Sequence, residues 1–240
     1  MKEWAKMYFS DEFLFALSMW QKGWKEDQEQ RNLLAEDLLQ TTQNLDKKFK
    51  SVTTPCYRKR FLHQGELVDI VLKDQKYEGV VSWTLDQEYA ERFKYLYKEN
   101  AVSGAIFEHT PTESEVVVNI CELWKDPDFI AAAIDFKNRY PEDAKPLFHF
   151  KNRQSEVILT SPLKASEIIA LTGASSPFDD LCDQAGIPDD SSRDDLFSKL
   201  VESGNCPGEL KYTSRESAQR IIDNVIRKVH DKITAFKNNS

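Results

Sequence analysis

GVVSWTLDQEYAERF, residues 79–93, changes its periodicity partway along. The first part, 79–83, is a short β-rich run that reads as a strand. Thr84, followed three residues later by Gln87, resembles a capping box, and Leu85, Tyr89, Phe93 and Leu96 then supply one apolar helical face. A helix is therefore expected directly after the strand. The same alternation extends outward from Pro55, which ends a helical pattern, to about residue 172. Further strands are expected near 56–62, 67–72, 102–107, 115–121, 147–150, 154–160 and 167–171. Asp126 followed by Pro127 opens a second helix over roughly 127–139, because a proline without an N–H is harmless in a first turn.

Three segments follow from this reading. Residues 1–54 form N-terminal helices: Ser10 caps a helix carrying Phe13, Leu17, Trp20 and Trp24, and Leu34, Leu38, Leu45 and Phe49 mark a second stripe. Residues 55–172 are the mixed β/α core. Residues 173–240 are a helical C-terminal extension, entered through GASSPFDD and GIPDDSSRDD. In its last helix Thr213 and Glu216 form a capping box, and Ala218, Ile222, Val225, Val229, Ile233 and Phe236 share a face.

Composition narrows the function classes. Apolar residues make up 40% and charged residues 30% of the 240, with a mean hydropathy of -0.56, which excludes extensive disorder and a membrane protein. The net charge of -8 argues against a broad cationic face for nucleic acid, although YRKRF (57–61) and the two KNR runs (137–139, 151–153) leave room for a local basic patch. Cys56, Cys121, Cys182 and Cys206 are too far apart for a zinc motif or a disulfide framework, and His109 and His149 lack ligand spacing, so no metal is expected. Asp11 and Glu12 interrupt the apolar N-terminus and no cleavage site follows, so the expected location is cytoplasmic, away from membranes.

Three features then occur in order: Arg58 in an early strand, Ser82, Trp83 and Thr84 before a helix, and Gln154, Ser155 and Glu156 in a late strand. On a strand, residues two apart share a face, so Gln154 and Glu156 would project into one cleft, as would Ser82 and Thr84. Such a cleft suits glycosidic chemistry. Cleaving the bond between nicotinamide and ribose develops an oxocarbenium-like cation, and Glu156, gripping the ribose 2-hydroxyl, would stabilise it. Arg58 would hold a phosphate of NAD through its planar fork, Ser82 would orient Glu156, and Thr84 would cap the following helix.

At these residues the chain resembles the Arg-Ser-Glu class of mono-ADP-ribosyltransferases, the exotoxin-like family, in its Gln-x-Glu variant. The matching stretches are CYRKRF, VVSWTLDQEYAERF with Ala90 and Phe93 in its helix, and RQSEVIL, and together they fall within residues 55–172. The resemblance implies an α+β fold of two packed antiparallel sheets forming an NAD cleft, with N-terminal helices over one side and a helical C-terminal extension. It implies NAD as co-substrate, with Glu156, Gln154 and Ser82 catalytic and Arg58, Ser82, Trp83 and Thr84 at the NAD site. Gln154 implies an acceptor other than arginine, whether another protein side chain or a nucleobase in RNA or DNA. An amide exchanges hydrogen bonds with such groups but is no general base. Phe148 or Phe150, in LFHFKNR, would meet the acceptor or lie buried in a strand. Lys59 and Trp83 depart from the family's small residues; Trp83 either covers the nicotinamide pocket or faces the core.

Two rival readings stand beside this one. Arg58 and His63 have the arginine, four residues, histidine spacing of helical HEPN-type ribonucleases, a site that needs a helix. A non-catalytic interaction module with helical binding ends is the other. The transferase would be a toxin or a phage or defence effector, restrained either by a neutralising partner protein docked on the C-terminal helices or by those helices folding back across the cleft.

Overall fold

The computed structural model describes residues 9–25, 27–63, 65–93, 101–151, 153–172 and 212–238, and residues 182, 185–187, 189, 191–193, 195, 196 and 199. The fold is α+β; among the described residues the strands form one six-stranded sheet, and the expected second sheet is not seen. The strands are β1 (Cys56–His63), β2 (Val81–Thr84), β3 (Ala101–His109), β4 (Val116–Asn119), β5 (Glu156–Leu159) and β6 (Ile168–Leu171), in the order β4-β5-β2-β1-β3-β6. The pairs β1–β2, β2–β5, β4–β5 and β3–β6 are antiparallel.

The chain divides into two compact units. The first comprises Met1–Tyr57, Tyr77–Tyr89 and His109–Pro162, and the second Arg58–Lys76, Ala90–Glu108 and Leu163–Ser240. In the first, Ser10 Oγ accepts the Phe13 N–H, which starts α1 (Asp11–Lys22), with Asp11 and Glu12 at the positive end of its dipole. Gly23, at φ 82, ends it by returning its N–H to Met19 and Trp20 carbonyls. Phe13, Leu14, Leu17 and Trp20 enter a core with Leu38 from α2 (Gln28–Thr41). Phe129 and Phe136 join it from the helix Pro127–Arg139, and Ile158 and Val118 from β5 and β4. Each fully buried side chain of this size contributes about 1.5–3 kcal/mol. The second stripe is not one continuous helix: α2 stops at Thr41, and Leu45 and Phe49 reach the core from a turn and a short 3-10 segment, Lys47–Lys50.

Several expected strands are helices. Residues 67–72 lie in the helix Glu66–Lys73, between Gly65 at φ 95 and the left-handed Asp74. Short apolar runs do not distinguish strand from helix by periodicity. Here Glu66 Oε2 accepts the His63 N–H, and Asp69 and Lys73 pair one turn apart at 3.4 Å. Residues 147–150 belong to the helix Lys145–Phe150, which begins with Pro146 in its first turn. The run 115–121 is strand only over β4, after which Asn119 Oδ1 accepts the Glu122 N–H and opens the short helix Ile120–Leu123.

Two caps also differ by residue. The helix Gln87–Arg92 is capped by Asp86, whose Oδ1 accepts the Tyr89 N–H at 3.0 Å, and not by Thr84. Ala90 is buried, whereas Phe93 lies beyond the helix end and is 39% exposed; Leu96 lies outside the described residues. In the second unit the final helix, Arg215–Asn238, is capped by Ser214, whose Oγ accepts the Ser217 N–H. Thr213 Oγ1 instead accepts the N–H of Leu171 in β6. Ala218 and Ile222 are buried, but the predicted face runs into solvent at Ile233 and Phe236. Asp126 caps Pro127–Arg139 as its sequence predicts.

Candidate functional site

The site lies within the first unit, where β2 meets β5. Their register sets Ser82 opposite Ile158 and Thr84 opposite Glu156. Directly opposed residues share a face, and so do residues two apart along a strand. Ser82, Thr84, Glu156 and Ile158 therefore emerge on the same side of the sheet. Ser82 Oγ donates to Glu156 Oε1 at 2.5 Å, across a diagonal of the ladder. The short distance fits a hydroxyl on a carboxylate.

The last turn of α1 covers this pair. Trp20 Nε1 donates to Ser82 Oγ at 3.2 Å, and Gln21 Nε2 donates to Glu156 Oε2 at 3.3 Å. Trp20 is buried, and only 6% of Glu156 is exposed. Burial pushes the Glu156 carboxyl above its usual 4.5, and the hydrogen bonds from Ser82, Gln21 and Trp20 pull the other way without overcoming it. The carboxylate's field reaches two further groups. It raises the Tyr89 phenol, after the larger effect of that ring's own burial. It also adds to the upward shift of the Cys121 thiol, again mainly a burial effect.

Gln154 stands differently from expectation. The strand begins at Glu156, and Ser155 turns left-handed at φ 44, so Gln154 and Glu156 are not alternate residues of one strand. The turn is held by β2 and the residue after it: Thr84 Oγ1 donates to the Gln154 carbonyl at 2.7 Å and the Leu85 N–H to the Ser155 carbonyl at 2.9 Å. Thr84 also accepts the Asp86 N–H at 3.0 Å. It therefore ties the Gln154 turn to the helix entrance. Gln154 itself is half-buried.

Trp83 alternates with Ser82 and Thr84 and so points to the opposite face. It is 2% exposed, opposite Val157, with its ring centroid 5.8 Å from that of His109. Of its two sequence readings, the core placement is the observed one. Phe148 lies half-buried with its ring edge-on to Trp124 at 5.4 Å and beneath Lys137 Nζ at 4.8 Å. Phe150, also half-buried, contacts the His149 ring at 4.8 Å. Both phenylalanines are helical, not in a strand. Arg58 is half-buried in β1, directly after Tyr57, which pairs with Thr84; it belongs to the second unit. Because β1 is a strand through His63, Arg58 and His63 do not share the helix that the nuclease reading requires.

Trp20 and Gln21 are the site residues that sequence reasoning missed. Trp20 was legible only as part of an apolar stripe. Gln21 carried a usable signal: it continues Phe13 and Leu17 at four-residue spacing, which places an amide on the buried face of α1. Among the described residues, no three His, Cys, Asp or Glu side chains gather as metal ligands, and no helix is long and apolar enough to cross a membrane. Compared with protein-family models, curated proteins and solved structures, the chain matches none.

Proposed function

We propose that the chain is a mono-ADP-ribosyltransferase that moves ADP-ribose from NAD to a macromolecular acceptor, a protein side chain other than arginine or a nucleobase. The observation that carries this reading is the 2.5 Å hydrogen bond from Ser82 to the buried Glu156. It supports the pairing of a strand serine with a late carboxylate that the resemblance implies.

In the proposed reaction an acceptor nucleophile bonds to the anomeric carbon of the nicotinamide ribose. The carbon–nitrogen bond breaks, and its electron pair passes to the nicotinamide ring nitrogen, cancelling the pyridinium charge. The acceptor's proton leaves to solvent. Positive charge builds on the ribose as the bond stretches, and Glu156 supplies the facing negative charge. A carboxylate poorly solvated in its resting site gains most when that cation forms, which favours the transition state over the bound substrate. Ser82 holds the carboxylate in one orientation, a positioning role served by an already ordered hydroxyl.

The proposal also requires movement. With Glu156 covered by Trp20 and Gln21, NAD reaches it only after the last turn of α1 shifts, and the same cover keeps bulk water from the carboxylate. The test is NAD turnover by wild type and Glu156→Gln, with labelled NAD and a cell lysate separated into protein and nucleic acid. Label in either fraction that disappears in the variant supports the transferase and names the acceptor class. Absence of NAD consumption and of labelling in every fraction rejects it.

A further inference from the structure

The Gln21 amide has two ends, and only one is used. Its Nε2 donates to Glu156 Oε2, while Oε1 is buried without a hydrogen-bond partner among the described residues. With amide oxygen and nitrogen exchanged, the oxygen would face Glu156 and could accept only from a protonated carboxyl. A buried amide end left unpaired loses its hydration without compensation, so such a group asks for an explanation. Gln21 is 9% exposed and shares the largely apolar buried face of α1 with Ser18, whose hydroxyl donates to the Asp143 carbonyl; a leucine or methionine at position 21 would leave no amide end unpaired.

A hydroxyl satisfies either orientation, because it both donates and accepts. We propose that Gln21 is a substrate contact for the hydroxyl next to the one gripped by Glu156, so that the two side chains together take the adjacent 2′ and 3′ hydroxyls of the nicotinamide ribose. The inference rests on the transferase reading. Its geometric ground is that one side chain already touches the carboxylate and keeps a second, unspent hydrogen-bonding end beside it. At 3.3 Å the Gln21–Glu156 contact is long for a hydrogen bond and therefore cheap to exchange. A sugar edge entering between them gives Glu156 Oε2 one hydroxyl and the Gln21 amide the other. Ser82 keeps Glu156 Oε1 throughout. Gln21 would thus form part of the resting cover and of the substrate grip.

The experiment compares NAD with an NAD analogue lacking the 3′-hydroxyl of the nicotinamide ribose, using wild type and Gln21→Met. Wild type is expected to lose roughly 10- to 100-fold in kcat/KM on the analogue, because the missing hydroxyl leaves the amide unpaired. Gln21→Met is expected to be slower than wild type on NAD and to treat both substrates alike to within about twofold. A merely structural glutamine predicts otherwise: the variant slows on both substrates while discrimination persists, and that result overturns the inference. Should Gln21→Met fail to fold, the side-chain amide resonances of Gln21 in the wild type decide instead. They are expected to shift with NAD and not with the analogue, and equal shifts with both overturn the inference. NAD turnover that depends on Glu156, together with undiminished discrimination in the variant, rejects the Gln21 role alone. No NAD turnover and no NAD binding by wild type reject the function and the inference together.

Discussion

Replacing Glu156 by Gln turns a buried titrating group into a permanently neutral one, and stability measured against pH should reveal it. Burial raises the folded-state carboxyl above its usual 4.5, so the folded chain binds more protons than the unfolded chain in the window between the two values. The sign follows: the stability contribution of the protonated carboxyl is fully present below 4.5, is lost as pH rises, and reaches its floor once pH passes the folded value. Within that window the wild type loses at most on the order of 1 kcal/mol per pH unit relative to the variant. The hydrogen bonds survive the change. Ser82 can still donate to the new amide's oxygen, and a turn of the Gln21 amide presents its unpartnered oxygen to the new NH2 group. The assay is thermal unfolding of both proteins from about pH 4 to about pH 8, where 1 kcal/mol corresponds to roughly 2–4 °C for a chain of this size. The variant should gain on the wild type as pH rises and then run parallel to it, the break marking the folded-state value. Parallel curves from about pH 4 upward would refute the reasoning, because they would mean that Glu156 ionises in the folded protein as it does in water.

Ser82→Ala removes a hydrogen bond to a carboxylate and takes the Ser82 acceptor from the Trp20 N–H, so it should cost about 2 kcal/mol in denaturant unfolding. Under the proposed function it should also lower NAD turnover on the order of 100-fold, and a loss under tenfold would sink the positioning role. Ser155→Gly relieves a side chain held at φ 44 and should stabilise by up to about 1 kcal/mol, whereas Ser155→Val should destabilise by at least as much; equal midpoints for the two variants would contradict the strain. Asp86→Ala should cost about 1 kcal/mol through the lost Tyr89 cap, and Thr84→Ala should disturb the Gln154 turn as well, detectable as faster amide exchange at Asp86.

Legibility in the sequence followed the range of the interaction. Ser10 and Asp126 were readable as caps because each bonds to a backbone N–H three residues or fewer away. The Ser82–Glu156 pairing was readable as an expectation from residue type alone, since alternation placed Ser82 only with Thr84 and Glu156 only with Gln154; the β2–β5 register brings the two together. Thr84 and Thr213 were misread as caps for an equally local reason: a neighbouring Asp86 or Ser214 could do the same work, and the choice between neighbours depended on remote groups. Thr84 reaches the Gln154 carbonyl and Thr213 the Leu171 N–H, so both hydroxyls were already committed elsewhere.

By itself the sequence determined the mixed α and β character, the amphipathic first helix, the helix caps Ser10 and Asp126, and the residue types available for chemistry, since each depends on spacing within a few residues. Tertiary structure alone decided whether 67–72 and 147–150 were strand or helix, because short apolar runs fit both until neighbours claim a face. It also decided that Gln154 leaves the strand, through bonds from Thr84 and Leu85, 70 positions earlier in the chain. Above all it laid α1 on β2 and β5, bringing Gln21 to a carboxylate 135 positions away. A local pattern shows that a polar side chain lies on a buried face. Which buried group it meets is set by the packing of elements that are remote in the chain.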